Sequence, residues 1–532
     1  MTMPGIANSL KSYVSNCRTL NIQPSDLPRK VCDYLSELID VKQANQNFLD
    51  DSQKPSSSLP YVPTWRLLPS EEDIINLPLI KCWTVESPAQ EGRTIDFEYY
   101  NIPQRTRENY VNAWRRLVIP KEAISEHVKS EVSRLESFGV HIGIHLRFWE
   151  DSAARKNSTK ARQYLSFFRE HKNINAFVAT DNTEKVLQSL PLRQRKNCFF
   201  YKKNYNLTGL QNDFAELLLL STFKCLVLTR SSTFSEVAWW LGGANSAIIG
   251  LVGKHGDREI GFCNVDESTC IDITAQAGNT WISNRSSLVK NVGKPENLSN
   301  AFLTYCREYS WLERRLKHNA SGLVDVGANL GLVSLHLAAE NHQLEVYAYE
   351  PLDDLCCLLE ASAALNGISN RYHVINQALG SIVQDMPIFI PDCRADNASL
   401  NLVAANLNVK EASVTPKRCR VTTLDTDLFG VRGVQQVDAI KIDVQGHELD
   451  VFIGAEKLIK SSAANPNFVI EFEFDPELLK QHGSSPLDIY NQLCSRLSLA
   501  LIQKSTNQVI EREDLQSWEG SIDILAIPMH CS

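Results

Sequence analysis

Leu323-Val324-Asp325-Val326-Gly327-Ala328-Asn329-Leu330-Gly331 runs directly into the apolar pattern Leu332-Val333-Ser334-Leu335-His336-Leu337-Ala338-Ala339-Glu340. A short apolar run ending in an acid, a glycine-interrupted turn and then helical periodicity predict a strand, a tight loop and a helix whose amino terminus can face a ligand. Nucleotide-like cofactors are held in this way. Such a turn also needs glycine for backbone reasons alone, so the pattern requires support from elsewhere. Glu345-Val346-Tyr347-Ala348-Tyr349 supplies it. This run ends in Glu350-Pro351, setting a carboxylate at the tip of the next strand, where it either accepts the hydroxyls of a ribose or caps the following helix.

Further on, Val437-Asp438-Ala439-Ile440-Lys441-Ile442-Asp443-Val444 reads as a buried strand, and Gln445-Gly446-His447-Glu448 turns into a helix over Leu449 to Glu456. Lys441 and Asp443 inside an apolar strand are costly unless they project from its carboxyl end into a site. With DVGANLG, YEP, NASL at Asn397 to Leu400, TLDTD at Thr423 to Asp427, KIDVQGHE and GAEKLI, the chain resembles the FkbM family of S-adenosylmethionine-dependent O-methyltransferases from roughly Gly322 to Pro528. The resemblance implies a class I, Rossmann-like, seven-stranded methyltransferase domain. It places Asp325, Gly327, Asn329 and Gly331 around the methionine part of the cofactor, Glu350 on its ribose and Gln377 beside its adenine. Methyl transfer to a hydroxyl needs an acceptor oxygen in line and a route for its proton, for which Asp443, His447 and Glu448 are the candidates. His447 has the more suitable pKa, but it is equally readable as an exposed turn residue, which favours Asp443 as orienting base or metal ligand. A divalent ion would lower the pKa of the hydroxyl, although no compact ligand cluster demands one.

The N-terminal half carries a second pattern. Pro120-Lys121-Glu122 opens a helix over Ala123 to Leu135, and Val140-His141-Ile142-Gly143-Ile144-His145-Leu146-Arg147 alternates as a strand. A guanidinium at a strand end suits a diphosphate, or else pairs with Glu150 or Asp151. Ala176 to Asp181 follows as a strand with a helix over Thr183 to Leu190, then a helix over Asp213 to Leu220 carrying Glu216, a strand over Cys225 to Leu228, and the turn Arg230-Ser231-Ser232-Thr233-Phe234-Ser235 into a helix from Glu236. That hydroxyl-rich turn either grips a phosphate or simply caps the helix. In this order HLR, ATD, Glu216 and SSTFSEVAWWL resemble the fucosyltransferase superfamily from about Pro120 to Leu251. The resemblance implies a GT-B-like glycosyltransferase with a Rossmann-like nucleotide-binding lobe. His145 and Arg147 match its HxR motif, Glu216 falls where an Asp usually reads guanine, and Ser231, Ser232 and Thr233 match its phosphate-binding hydroxyls. Phe148-Trp149-Glu150-Asp151 after the HxR motif and Glu in place of Asp are departures from the family's usual pattern.

The expected organisation is therefore α/β throughout, with a glycosyltransferase domain over residues 1–290 (acceptor lobe about 1–120, donor-nucleotide lobe about 121–285) and a methyltransferase domain over 295–532. A chain of 532 residues has ample material for two cores. With 43% hydrophobic and 22% charged residues it has the composition of an ordinary globular protein, and a net charge of -8 gives no footprint for nucleic acid. No apolar run is long enough to span a bilayer, no signal peptide is indicated, and fourteen scattered cysteines without a C-x-x-C pair fit reduced thiols, so a cytoplasmic location is expected. Together the resemblances imply a bifunctional enzyme that moves a deoxyhexose, L-fucose from GDP-fucose, onto a glycan acceptor and O-methylates that sugar or its neighbour in polysaccharide biosynthesis. Two other readings stay open: an active methyltransferase beside a glycan- or nucleotide-binding module, and a non-catalytic scaffold.

Overall fold

The structure is a computed structural model that describes residues 104–148, 174–227, 233–244, 246–248, 272–277, 280–285, 295–316, 322–391, 394–407 and 414–529, with 6, 10, 36–40, 43 and 168. The chain divides into two compact units, Met1–Asp272 and Ile273–Ser532. Most of the expected acceptor lobe lies outside the described residues, as do Glu150, Asp151, Ser231 and Ser232.

In the first unit, β1 (Val140–Leu146), β2 (Asn175–Thr180), β3 (Cys198–Phe199), β4 (Cys225–Val227) and β5 (Ala247–Ile248) form one parallel sheet in the order β3-β2-β1-β4-β5. Helices α1 (Gln104–Leu117), α2 (Glu122–Ser137), α3 (Thr183–Ser189), α4 (Gly209–Ser221) and α5 (Thr233–Leu241) accompany it. All of β1 except His141 is buried, as a parallel sheet covered on both faces requires. Gly143 is part of that requirement, since a Cβ there would lie 2.8 Å from the Phe223 side chain. α4 starts four residues earlier than the sequence pattern suggests because Thr208 and Gln211 form a reciprocal capping box. α5 begins at Thr233, so Thr233, Phe234 and Ser235 form its first turn and are not a loop preceding it. Trp114, Phe177, Phe214, Trp239 and Trp240 fill the core.

The hairpin strands β6 (Asp272–Ala277) and β7 (Thr280–Arg285) precede two helices, α6 (Pro295–Glu308) and α7 (Ser310–Leu316). The stretch Ala301 to Leu316 reads as one helix in the sequence, but the structure interrupts it at Tyr309. The remaining strands are β8 (Gly322–Val326), β9 (Glu345–Tyr349), β10 (Tyr372–Ile375), β11 (Ala378–Leu379), β12 (Gln384–Pro391), β13 (Val414–Thr422), β14 (Ala439–Ile442), β15 (Val469–Phe474), β16 (Leu499–Gln503), β17 (Gln508–Val509) and β18 (Ile522–Pro528). The main sheet runs β10-β9-β8-β14-β15-β18-β16-β17; its first five strands are parallel, and β18 lies antiparallel between β15 and β16. The expected seven strands are present, with an eighth of two residues at the edge. There Asn507, at φ +58°, bonds the Gln503 carbonyl at 2.8 Å and folds β17 back on β16. A separate three-stranded sheet, β11-β13-β12, follows β10.

The order of strands reverses between β8 and β14: the chain first builds outward through β9 and β10, then returns to the other side. Open α/β sheets bind ligands in the crevice at such a point, outside the carboxyl ends of the strands. α8 (Ser334–Glu340) leaves the turn after β8, α9 (Asp353–Leu365) the turn after β9, and α10 (Glu448–Gly454) the turn after β14. α10 stops at Gly454, where a Cβ would stand 2.0 Å from the Gly380 carbonyl, and α11 (Glu456–Ser462) begins anew with Asp425 accepting from Lys457 N and Leu458 N. Among the described residues no helix is long and apolar enough to cross a membrane.

Candidate active site

The turn after β8 is shaped by what passes beside it. Gly327 has φ +71°, and a Cβ there would lie 2.0 Å from the Asp443 carbonyl at the end of β14, so glycine is required both by conformation and by close approach. Its N–H and that of Ala328 donate to the Tyr349 carbonyl at 3.0 and 3.1 Å, tying the turn to the end of β9. Asn329 follows at φ +51°, and its N–H donates to Glu350 Oε2 at 2.9 Å. Glu350 Oε1 accepts from Leu352 N at 2.9 Å. Burial pushes the Glu350 carboxyl up to about 7, opposed by these two amides. A carboxylate offers about four acceptor positions, so two remain for a ligand.

Gly327, Asn329 and Glu350 line a cleft together with Tyr349, Gln377, Asp396, Ser399, Asp443, Gln445 and His447. Asn329 Oδ1 and Gln377 Oε1 are buried in its wall with no hydrogen-bond partner among the described residues. Such atoms are costly unless a ligand or water completes them. Asp325 does not line the cleft; it lies beneath it, 1% exposed, with its carboxylate 3.4 Å from Lys441 Nζ on the neighbouring strand. Lys441 also donates to the Gly327 carbonyl at 3.2 Å and lies 3.8 Å from Asp443. Burial works against its charge, but Asp325 and Asp443 prevail and raise its pKa, so the ammonium is retained. Asp443 is 41% exposed and accepts from Gln445 Nε2 at 3.1 Å.

His447 is not an exposed turn residue. Its ring is largely buried, and that burial lowers its pKa against the pull of Asp450. Nδ1 lies 3.3 Å from His482 Nδ1 and 3.5 Å from Asp450 Oδ2. Burial, aided by His447, holds His482 down to about 4. Glu448, by contrast, turns back on its own loop, accepting from Gly446 N at 3.1 Å and Val444 N at 3.4 Å; burial raises it to about 8. Among the described residues no group of three or more His, Cys, Asp and Glu could hold a metal ion. His482 and Ser399 are the members of this region that the sequence leaves unassigned. Ser399 lies inside NASL, whereas His482 has no spacing signal because it caps the short helix after β15, 35 residues beyond His447.

In the first unit, His145, Arg147 and Glu216 gather at the carboxyl ends of β1 and β2. His145 Nδ1 lies 2.7 Å from Ser235 Oγ and its ring packs at a tilt against Phe234, with centroids 4.8 Å apart; burial and the Arg147 charge hold it down to about 3. Arg147 is 6% exposed, with Nε 4.0 Å from Asp181, whose other oxygen accepts from Phe148 N at 3.0 Å. Burial, with Asp213 adding, pushes Glu216 up to about 8, while a backbone bond from Thr180 favours its charged form. Of the three hydroxyls predicted to hold phosphate, only Thr233 falls among the described residues, at the first position of α5.

Comparison with known proteins places the second unit. Residues 325–497 match the family model for the methyltransferase FkbM domain. The AMB antimetabolite synthetase AmbE of Pseudomonas aeruginosa is 27% identical over 161 residues, 25% of this chain and 8% of that protein. The methyltransferase sdnD of Sordaria araneosa is 24% identical over 159 residues, 25% of this chain and 60% of that protein. The chain therefore spans less than two thirds of either relative. The solved StiE O-MT aligns at 10% identity with a TM-score of 0.26, covering 45% of this chain and 79% of that one, a score too low to carry an argument. Residues 325–497 of the second unit are a methyltransferase FkbM domain.

Proposed function

We propose that the second unit is an S-adenosylmethionine-dependent O-methyltransferase acting on a sugar hydroxyl. The observation that carries this reading is the cleft at the strand-order reversal, where the glycine turn, the two spare acceptor positions of Glu350 and the unsatisfied oxygens of Asn329 and Gln377 face one space. That set fits the cofactor: the turn from Gly327 to Gly331 takes its methionine part, Glu350 accepts from the ribose hydroxyls, and the Gln377 carbonyl accepts from the adenine amine. When bound, the cofactor supplies a methyl group activated by a sulfonium. Asp443 orients the acceptor hydroxyl, and the neutral His447 imidazole takes the proton that the hydroxyl loses as it becomes a methyl ether. Asp325 and Lys441 hold the turn and the end of β14 together beneath the reaction.

The first unit supplies the sugar in this reading, as a fucosyltransferase-like lobe using GDP-fucose. What supports it is a parallel sheet whose order reverses between β1 and β4, with a buried Arg147 just past the carboxyl end of β1 and a buried Glu216 beside Thr180 at the carboxyl end of β2. Arg147 would bind the diphosphate and stabilise it as it leaves. Linking the two activities raises the concentration of the first product at the second site, a gain that exists only if a glycan passes from one to the other. The test of the methyltransferase reading is calorimetry with S-adenosylmethionine: Glu350→Ala should weaken binding by about 2–3 kcal/mol, the worth of charge-assisted hydrogen bonds. Unchanged affinity places the cofactor elsewhere. Product masses from GDP-fucose, S-adenosylmethionine and a glycan panel test the coupled reading; fucosylated glycan should accumulate when S-adenosylmethionine is withheld and gain a methyl group when it is added.

A further inference from the structure

His447 serves as a base only if a ring nitrogen without a proton is available, and hydrogen bonding decides which nitrogen that is. Both imidazoles of the His447 and His482 pair are neutral at pH 7, so each carries one N–H. Their Nδ1 atoms face each other at 3.3 Å, so one of the two is protonated and the other accepts. The choice is made on the far side of His482. There Nε2 lies 3.3 Å from Ser399 Oγ. The Ser399 hydroxyl has one proton, which it directs to the Gln445 carbonyl at 3.5 Å, and its oxygen already accepts from Asn401 N at 3.2 Å. With its proton directed to Gln445, Ser399 Oγ can only accept from His482, which calls for a proton on His482 Nε2.

From this network we infer that His482 is a positioning residue: its Nε2–H is anchored by Ser399, its bare Nδ1 accepts from His447 Nδ1–H, and His447 Nε2 is thereby left free to receive the acceptor's proton. The remaining charged group facing the pair agrees with this tautomer. Asp450 Oδ2 is 3.5 Å from His447 Nδ1, where it attracts an N–H, and its other oxygen is held by the Ser381 hydroxyl. Gly380 leaves room on the opposite edge, since a Cβ there would stand 3.1 Å from His447 Nε2. The functional consequence rests on reading His447 as the base, whereas the tautomer itself does not.

The test is a long-range proton–nitrogen NMR correlation on the full chain with nitrogen-15-labelled histidine, which separates protonated from bare ring nitrogens without cofactor or acceptor. The expected spectrum shows His447 protonated at Nδ1 and bare at Nε2, with His482 the reverse. In His482→Ala, where Asp450 is left beside Nδ1, the preference of the His447 ring should weaken measurably, and in His482→Asn, whose side-chain oxygen can accept from Nδ1–H, it should be restored. A wild-type His447 protonated at Nε2 overturns the inference even if no variant folds, as does an unchanged tautomer preference in folded His482→Ala. With methyl transfer in hand, His482→Ala should lower kcat at least tenfold at unchanged cofactor affinity, and His482→Asn should restore part of it. If the tautomer is as expected but His447→Ala methylates normally, the role of His447 as base fails and the positioning of its ring stands.

Discussion

Glu350 is both the proposed ribose acceptor and a carboxyl raised to about 7 by burial, and the two properties are linked. Only the ionised form can accept from two hydroxyls, so below about pH 7 binding must first expel a proton. Affinity for S-adenosylmethionine should therefore fall by up to about tenfold per pH unit below that point and level off above it. Calorimetry in two buffers of different ionisation heat should show proton release below pH 7, and Glu350→Gln should abolish it along with the pH dependence. At Lys441 the prediction concerns stability. Lys441→Met leaves Asp325 charged, buried and without its cation, which should destabilise the fold by about 3–5 kcal/mol in urea. Adding Asp325→Asn removes the stranded charge, so the double variant should be more stable than Lys441→Met alone.

The turn between β8 and α8 illustrates how an element acquires function from its neighbours. Gly327 and Gly367 have similar backbones, at φ +71° and +67°, but a Cβ on Gly367 meets nothing within 4 Å, whereas one on Gly327 runs into the Asp443 carbonyl at 2.0 Å. Gly367→Ala should cost only the left-handed backbone penalty of about 1–2 kcal/mol and leave cofactor binding intact. Gly327→Ala should cost at least about 3 kcal/mol, because the turn and the end of β14 must also separate, and cofactor binding should be lost. Chemical denaturation and calorimetry on the two variants separate conformational cost from close approach. If both lose the same stability, contact with β14 does not define the turn.

At the scale of the molecule, two sheets with separate cores predict separable behaviour. A fragment of residues 273–532 should fold by circular dichroism and bind S-adenosylmethionine as the whole chain does. Arg147→Ala in the full protein should leave that affinity unchanged while removing any transfer from GDP-fucose. Loss of cofactor binding in a soluble fragment would show that the second unit depends on the first.

Local pattern was sufficient wherever the physics is local. A hydrophobic run, a glycine turn and an acid at a strand tip are set by side-chain periodicity and backbone sterics within about ten residues, so β8, β9, the turn at Gly327 and the placement of Glu350 could be read from the chain. Element ends were less legible: α5 begins three residues before Glu236, and the helix after Ala301 breaks at Tyr309. The tertiary structure decided what each polar group faces. Glu448 is a candidate base by sequence, yet its Oε1 accepts from the amides of both Val444 and Gly446, and Asp425 and Asp427 of TLDTD are a helix cap and a partner of Tyr349 and Arg432. His447, readable in the sequence equally as a base and as an exposed turn residue, lies buried against His482, 35 residues away. Desolvation and hydrogen bonding depend on groups brought together from different strands, and no spacing along one segment of chain records that encounter.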